Sequence, residues 1–406
     1  MTDLYLYDDA AAREWQPFAL TRPASELIAG AMMLRERWEH ALGLRAVGVV
    51  TAPHLEEFDE PWGVRVVKAT DVIPKGAVLA NSRCAAALTP SRAGDVWRCD
   101  GKVAAVLLGR DVPVRELRNG TVRLEELVSP GERAVNLAGR WMGELWDLVV
   151  RLSDMLNEDI PVVAGASNLT PRTGSVGIIA GSHPVFAEEG AIIEPQVYFD
   201  TSLGPVLIRR GATVRAFTRI NGPCFIGRDS QVSGDRVSGS TIGDDCRVHG
   251  EMIATVLLGH SNKSHDGFVG HSYFGRWVNV GAGTITSNLK NTYGTVHLWT
   301  PQGERDTGAQ FLGTFFGDHA KTGIGTPLTT GCVIGTAANV FGSTMPPKVV
   351  PPFAWGDREP YETYRVDKFL EVAKRMMARR HVELSDRQAR ALTAAFEQRW
   401  GSGGSR

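Results

Sequence analysis

An aliphatic side chain recurs at every sixth position in the second half of this chain, and this period constrains the fold more than any other feature. The first run in register is Ile208, Val214, Ile220, Ile226 and Val232, and a later run is Phe316, Thr322, Leu328, Ile334 and Val340. Glycine follows many of these positions, which lets the backbone turn tightly. One inward residue per six predicts a triangular coil, a left-handed parallel β-helix. An ordinary β-sandwich is the alternative.

Two interruptions of the period are candidates for functional loops. The segment His260–His265 has no aliphatic residue in register, and Asn288–Gln310 reads as a loop thrown out from one corner of the coil. Long loops in a regular scaffold usually carry function. Reactive side chains are therefore expected at these two places.

The first half of the chain alternates strand and helix patterns, which predicts an α/β domain with a mostly parallel sheet. Strands are expected at Leu4–Tyr7, Ala46–Thr51, Val64–Val67, Val78–Ala80 and Val103–Leu108, and helices at Glu26–Leu42 and Trp141–Asn157. The chain is then predicted to divide at residues 180 and 350. The last part, residues 351–406, is predicted to be helical over Pro360–Arg380 and Asp386–Trp400, with arginines along one face.

Composition narrows the class of protein. A formal net charge of −1 gives no sign of a nucleic-acid or membrane partner. No segment has the roughly 18 apolar residues that a membrane span needs. The five cysteines have neither disulfide nor zinc spacing, so free buried thiols and a cytoplasmic location are expected.

His265 is the first candidate for chemistry, because a neutral imidazole can take a proton from an attacking amine near neutral pH. His260, His271 and His319 are rivals at this stage. The second candidate is the run Val278–Asn288, whose small residues leave a groove wall on which a ligand can lie. Asn288 and Lys290 can bond hydroxyls and phosphate oxygens. The proposed cofactor contacts are Ala282, Gly283, Gly323 and Ala337.

The segment from His265 through Asn288 resembles the acetyltransferase half of the bifunctional N-acetylglucosamine-1-phosphate uridyltransferase / glucosamine-1-phosphate acetyltransferase family. That family places an Asn, at the end of a G-A-G-T-I-T-x-N run, 23 residues after its catalytic base, and Asn288 lies 23 residues after His265. The resemblance implies that His265 is the general base and that Asn288 contacts substrate. Phe268 stands where the family has Tyr.

The first half resembles a divergent branch of the sugar nucleotidyltransferases. The residues on which this resemblance depends are Leu6-Tyr7-Asp8-Asp9 and the segment from Pro17 to Pro23. The Gly-rich phosphate loop and the Lys of the mainstream family are absent, and the resemblance makes Arg22 the replacement cation. Asn81 lies where the Mg²⁺-binding Asp is expected, and Asp9 is a further substrate-binding candidate.

Together the resemblances imply a homotrimeric enzyme of UDP-N-acetylglucosamine synthesis. One domain would acetylate glucosamine 1-phosphate with acetyl-CoA, and the other would join N-acetylglucosamine 1-phosphate to UTP with Mg²⁺. Three alternatives stay open: an acyltransferase with a regulatory N-terminal domain, a nucleotidyltransferase whose coil only oligomerises, and a non-catalytic scaffold.

Overall fold

In a computed structural model, the six-residue period folds into a parallel coil with three faces, as predicted. The structure describes residues 2–172, 177–356 and 358–400. The five residues of the first run, Ile208 to Val232, are all 0 % exposed and belong to one apolar core. Ile226 pairs with Ile208 on one side and with Ile242 on the other, so equivalent residues stack in columns from turn to turn. The left-handed β-helix is therefore confirmed.

Each face of the coil is a stack of short parallel strands. The first face comprises Ile178–Ala180, Tyr198–Asp200, Arg219–Asn221, Arg236–Ser238, Met252–Ile253 and Val269–Gly270. The second comprises Val185–Ala187, Val206–Ile208, Cys224–Ile226, Thr241–Ile242, Val256–Gly259, Tyr273–Arg276, Phe315–Phe316, Val333–Ile334 and Val349–Val350. The third comprises Ile192–Ile193, Thr213–Val214, Gln231–Ser233, Arg247–His249 and Asn262–Lys263, and continues as Lys321–Thr322, Asn339–Val340, Ala354–Gly356 and the antiparallel Glu362–Thr363.

The two predicted interruptions differ in kind. The second is an extruded loop, in which His297–Thr300 and Gly303–Asp306 form an antiparallel hairpin. The strand Ile285–Thr286, just before this loop, pairs with Pro327–Leu328. The first is not a break in the coil, because Asn262–Lys263 pairs in register with Arg247–His249. Only the side chain of Lys263, which is not aliphatic, departs from the six-residue pattern there.

The N-terminal unit contains residues up to Leu145 together with Ser385–Gln398. Its strands are β1 (Leu4–Tyr7), β2 (Ile28–Ala29), β3 (Met32–Met33), β4 (Ala46–Val50), β5 (Val72–Ile73), β6 (Val78–Asn81), β7 (Cys84–Ala86), β8 (Val96–Cys99), β9 (Lys102–Leu107), β10 (Val112–Pro113), β11 (Ala134–Asn136) and β12 (Gly139–Trp141). Its first three helices are α1 (Ala10–Arg13), α2 (Leu34–Leu42) and α3 (Val114–Leu117).

The central sheet of this unit has the strand order β11-β8-β9-β6-β1-β4. Strand β1 runs parallel to both β4 and β6, but β9 runs antiparallel to β6 and β8, so the sheet is mixed. Alternate residues of β1 enter two apolar clusters, Leu4 and Leu6 on one face and Tyr5 and Tyr7 on the other. The sheet is therefore covered on both faces, as expected of an α/β unit.

Three predicted elements need correction. The helix expected from Glu26 begins only at Leu34, because β2 and β3 form a hairpin before it and Glu26 is buried against Arg35 at 2.7 Å. The strand expected at Val64–Val67 is reduced to an isolated bridge between Val66 and Val49. Trp141 lies in β12 rather than in a helix.

The coil unit comprises Trp146–Leu384 and begins with two helices. These are α4 (Asp147–Val150) and α5 (Leu152–Ala166), and α5 continues through Pro161, where a helix end was predicted. Helix α5 contacts the coil strands Val206–Ile208 and Cys224–Ile226, so the compact units divide at Leu145, whereas the sequence boundary was predicted at residue 180.

Two C-terminal helices are present, as predicted. They are α6 (Val366–Ala378), which belongs to the coil unit, and α7 (Asp386–Glu397), which belongs to the N-terminal unit. All five cysteines are free and buried, as expected. None of the helices in the described ranges is long and apolar enough to cross a membrane.

Candidate functional site

Lys263 occupies the inward position in the coil turn that leads to His265. It pairs with Val248 of the previous turn and is 2 % exposed, so a lysine takes the place that an aliphatic residue has elsewhere. Its Nζ donates to the carbonyl of His249 at 2.7 Å and to the carbonyl of His265. The ammonium thereby ties two neighbouring corners of the coil together. Burial lowers the pKa of Lys263 to about 8.

This shift predicts how stability depends on pH. Between about pH 8 and the usual lysine pKa of about 10.4, the unfolded chain binds more protons at residue 263 than the folded chain, so the lysine's unfavourable effect on folding fades as pH rises. We expect the Tm of the wild type, relative to that of Lys263→Met, to increase from pH 8 to pH 10. Paired thermal melts in the two buffers measure this difference. A difference that stays constant or falls would contradict the burial of a titrating amine.

His265 is exposed and lies on the walls of two cavities. The first, here called the arginine cavity, has a volume of about 410 Å³. It is lined by Arg247, His260, Asn262, Ser264, His265, Trp277, Val278, Asn279, Met376, Arg379 and Arg380. The second, here called the glycine cavity, has a volume of about 510 Å³. It is lined by His249, Ser264, His265, Asp266, Ala282, Gly283, Ile324 and Gly325. The imidazole can therefore face ligands in both.

Of the four predicted cofactor contacts, Ala282 and Gly283 line the glycine cavity. Gly283 has a φ of +71°, which a residue with a side chain rarely adopts. Gly323 serves the coil instead, because a Cβ on Gly281 would lie 2.5 Å from its carbonyl carbon. Ala337 is 1 % exposed and lies in the apolar interior.

Asn288 and Phe268 come together beside Gly270, on the first face of the coil. A Cβ on Gly270 would lie 2.5 Å from Nδ2 of Asn288 and 2.6 Å from Cζ of Phe268. The Asn288 amide donates to Nδ1 of His271 at 2.9 Å, and the His271 ring stacks on Phe311 with centroids 5.3 Å apart. Burial lowers the pKa of His271 to about 4, so its imidazole is neutral. The pairing of Asn288 with His271 could not be read from their spacing.

The other candidates are placed as follows. Lys290 opens the extruded loop, where its carbonyl accepts from the backbone N–H of Tyr293. His319 is 5 % exposed, with its ring edge-on to Phe369 at 5.4 Å. His260 lines the arginine cavity and contacts Trp277 at 4.3 Å between centroids. Of the four candidate histidines, His265 lines both of these cavities and His260 lines the arginine cavity, whereas His271 and His319 line neither.

Three ionisable groups beside the glycine cavity have the spacing of metal ligands. Asp235, His249 and Asp266 can place one ligand atom each within 4.8 Å of one another, and the imidazole of His249 already lies 2.9 Å from the Asp266 carboxylate. Asp235 and Asp266 are exposed. Exposed carboxylates beside a histidine also form ordinary surface ion pairs, so this geometry does not by itself identify a metal site.

The N-terminal unit has its own cavity, of about 510 Å³, at the carboxyl ends of β1 and β6. Ligands of open α/β sheets bind at this edge. Asp9 and Asn81 line it, as predicted for substrate contacts, together with Arg83, Lys102 and Trp141. The cations of Arg83 and Lys102 lie 5.0 and 4.9 Å from the Trp141 ring centroid. Sequence analysis missed these three residues, although Arg83 follows β6 directly.

The carboxylate of Asp9 is fully engaged. It accepts from Nη2 of Arg83 at 2.6 Å, from Nδ2 of Asn81 at 2.9 Å and from the backbone of Ala12 at 3.0 Å. Burial alone would raise the pKa of Asp9, but the hydrogen bonds and charge of Arg83 hold it below its usual value. Asn81 Oδ1 accepts from the backbone N–H of Arg83. The Asn81 oxygen, at the position where Mg²⁺ is expected, is thus already bonded, and with Asp9 also engaged this set does not fit a divalent cation.

Arg22 is not on the wall of this cavity. Its side chain is 2 % exposed, and its Nη2 lies 2.7 Å from Oε1 of Glu60. The structure therefore places the predicted replacement cation in the interior of the unit. The cations on the cavity wall are instead Arg83, Lys102 and Arg123.

Comparison with known proteins finds a family match that begins in the N-terminal unit and runs through helix α5. The profile of a family described as "Sugar nucleotidyl transferase" matches residues 4–167. The "Bifunctional protein GlmU" of Bartonella quintana is 28 % identical over 198 residues, which cover 47 % of this chain and 38 % of that protein. The protein of the same name from Methanocaldococcus jannaschii is 24 % identical over 264 residues, covering 62 % of this chain and 56 % of that one. The chain thus matches less than two thirds of the length of these relatives.

Among solved structures, an N-acyltransferase, AntD from Bacillus cereus, is similar to half of this chain. It shows 14 % identity and a TM-score of 0.24, and the match covers 50 % of this chain and 92 % of that one. So low a TM-score adds nothing to the assignment of the coil, which rests on its own strand pairing. Residues 4–167 match the model of the sugar nucleotidyl transferase family, and parts of the chain are similar to proteins named as the bifunctional protein GlmU.

Proposed function

We propose that this chain is a transferase with two sites, acting in the synthesis of UDP-N-acetylglucosamine. The coil would acetylate glucosamine 1-phosphate with acetyl-CoA, and the N-terminal unit would transfer a uridylyl group to the product. The observation that carries the proposal is the position of His265, an exposed imidazole on a corner held by Lys263, between a basic cavity and a cavity walled by small residues.

In the acetyl transfer, the amine nitrogen forms a bond to the thioester carbon and the carbon–sulfur bond breaks. His265 takes the proton that the amine loses and passes it to the departing thiolate. The wall of Ala282 and Gly283 leaves backbone accessible to a ligand, because neither side chain extends beyond Cβ. Backbone N–H groups are suitable donors for the oxyanion of the tetrahedral intermediate. The N–H of Gly283 already donates to the carbonyl of Asp266 at 2.9 Å, so Ala282 is the candidate donor of the two.

In the uridylyl transfer, a phosphate oxygen of the sugar attacks the α-phosphorus of UTP, and the bond to the leaving pyrophosphate breaks. The negative charge that develops must be neutralised, and Arg83 and Lys102 supply cations at the cavity wall. The resemblance places Mg²⁺ on the protein at Asn81. Since that donor set is already bonded, any Mg²⁺ in this proposal would enter with the triphosphate.

Two assays on the intact protein test the proposal and separate its rivals. Release of free thiol from acetyl-CoA with glucosamine 1-phosphate reports the coil, and release of pyrophosphate from UTP with N-acetylglucosamine 1-phosphate reports the N-terminal unit. Thiol release alone would favour the acyltransferase with a regulatory domain. Pyrophosphate release alone would favour the nucleotidyltransferase with an oligomerising coil, and neither would favour a scaffold.

Lys102 is the variant with which to probe the nucleotide cavity. It makes no ion pair in the described part of the chain, so Lys102→Gln does not leave a carboxylate without its partner. A lost charge-assisted hydrogen bond contributes ~1.5–3 kcal/mol, so we expect pyrophosphate release to fall about tenfold or more. The control is Arg110→Gln, whose partner is Glu116 and which lies away from the cavity. Equal rates for wild type and Lys102→Gln would remove Lys102 from the site.

The homotrimer and the cytoplasmic location remain parts of the proposal; the first rests on the resemblance and the second on the spacing of the cysteines. Coils of this kind have flat sides, and three-fold packing would bury one of them. Light scattering would overturn the trimer if it showed a monomer at every concentration.

A further inference from the structure

The arginine cavity is formed within one chain by the third face of the coil and by the end of helix α6. The helix is fastened to the coil through Phe369, which is 0 % exposed and packs edge-on against Phe353 at 5.2 Å and His319 at 5.4 Å. Its last turn and the two residues that follow bring Met376, Arg379 and Arg380 onto the cavity wall. Residues far apart in sequence are thus held at one place.

Positive charge in this cavity exceeds what its surroundings neutralise. Arg247, Arg379 and Arg380 line it, and no carboxylate does. Two of the three arginines share one acidic partner, because the Asp245 carboxylate lies 3.2 Å from Nη1 of Arg247 and 3.3 Å from Nη1 of Arg380. Nε2 of His260 is 3.8 Å from the same carboxylate.

Arg379 has no ion-pair partner among the described residues, whereas Arg375, one turn earlier on α6, pairs with Glu371 at 3.1 Å. Basic residues are favoured at a helix C-terminus by the helix dipole, which explains one or two of these arginines on their own. It does not explain why Arg247, from the coil, converges on the same cavity. Burial and the neighbouring charge of Arg247 lower the pKa of Arg380, so gathering these cations is unfavourable in the absence of an anion.

We propose that the arginine cavity binds a phosphate group of a ligand that reacts at His265. Guanidinium groups bind phosphate through paired N–H donors, and three of them around one cavity match a dianion. The volume of about 410 Å³ accommodates a phosphorylated sugar or part of a nucleotide. This inference rests on the proposed acetyl transfer, because that reaction supplies the two ligands that could carry the phosphate. They are the acceptor sugar phosphate and the phosphorylated adenosine end of coenzyme A.

Calorimetric titration of the intact protein distinguishes these sources. The probes are glucosamine 1-phosphate, adenosine 3′,5′-bisphosphate and inorganic phosphate. We expect Arg379→Gln to weaken one of the two organic probes by about tenfold, and Arg379→Gln/Arg380→Gln to weaken it further. Arg375→Gln, on the same helix but 73 % exposed and paired with Glu371, should bind as the wild type does. The probe that responds identifies the source.

The inference and the proposed function fail in different ways. If Arg379-dependent binding is found without any acetyl transfer, the phosphate site stands and the proposed reaction fails. If acetyl transfer occurs and both arginine variants keep the wild-type KM and probe affinities, the site is wrong and the reaction stands. Loss of affinity in Arg375→Gln equal to that in Arg379→Gln would also overturn the site, since it would show a general charge effect.

Discussion

Replacing His265 with alanine is expected to lower acetyl transfer by a factor of ~10² to 10⁴, the usual contribution of a positioned general base. The amine of a sugar phosphate must lose a proton as the tetrahedral intermediate forms. His265 is exposed on the walls of both cavities of the coil, so the imidazole can reach a reacting group without a change of fold.

The fold should survive this substitution, because the side chain of His265 is exposed and Lys263 bonds to its backbone carbonyl, which alanine keeps. Thermal melts should therefore match the wild type, and pyrophosphate release should be unchanged. His297→Ala, in the extruded hairpin and outside both cavities, is the matched control and should keep its activity. We also expect milder losses of activity in His271→Ala and His319→Ala, because neither residue lines a cavity with His265.

Asn288→Ala should chiefly raise the Michaelis constant for the sugar phosphate, if Asn288 contacts substrate as the resemblance implies. The same substitution removes the amide that donates to Nδ1 of His271.

Full acetyl transfer in His265→Ala would show that the base is another group, and the assignment taken from the resemblance would then fail at its central residue.

Ile226→Asp is expected to destabilise the coil by at least ~3 kcal/mol, through loss of apolar burial and burial of an unpaired charge. Ile226 is 0 % exposed and lies between Ile208 and Ile242 in the column of the second face. A loss of this size corresponds to a fall in Tm of roughly 10 °C in a unit of this size. Calorimetry of the intact protein measures it.

The matched control makes the same chemical change on the surface. Ile324 is 82 % exposed, so Ile324→Asp removes little buried area and places its carboxylate in water. Its Tm should stay within a few degrees of the wild type. If the Tm of Ile226→Asp equalled that of Ile324→Asp, the stacked column would not be the source of the coil's stability.

The coil could be predicted from the sequence because its geometry depends on residues that are close together in the chain. Every turn must place an inward side chain at the same three positions. The spacing of Ile208, Ile220 and Ile226 therefore indicates the six-residue period, and no distant contact is needed to recognise it. The same reasoning failed at Lys263. A lysine at an inward position resembles a break in the pattern, and only the carbonyls of His249 and His265 show why the turn tolerates an ammonium there.

The N-terminal unit was predicted less completely for a related reason. Strand β1 was predicted over its full length, but the antiparallel course of β9 depends on pairing with strands far away in the chain. The choice of Arg22 as the cation came from its position beside a motif. Its burial against Glu60, and the exposure of Arg83 and Lys102 to the cavity instead, follow from packing that no local pattern contains.

The sequence by itself thus determined the fold class, the free buried cysteines, the extruded loop and the choice of His265 as the residue to examine. Tertiary structure alone decided what surrounds His265. It paired Asn288 with His271, neither of which lines the two cavities of His265, and it brought Arg379 and Arg380 beside Arg247. The physical reason is that inward-facing positions repeat with the backbone, whereas the neighbours of an outward-facing side chain come from other turns and from a helix more than a hundred residues away.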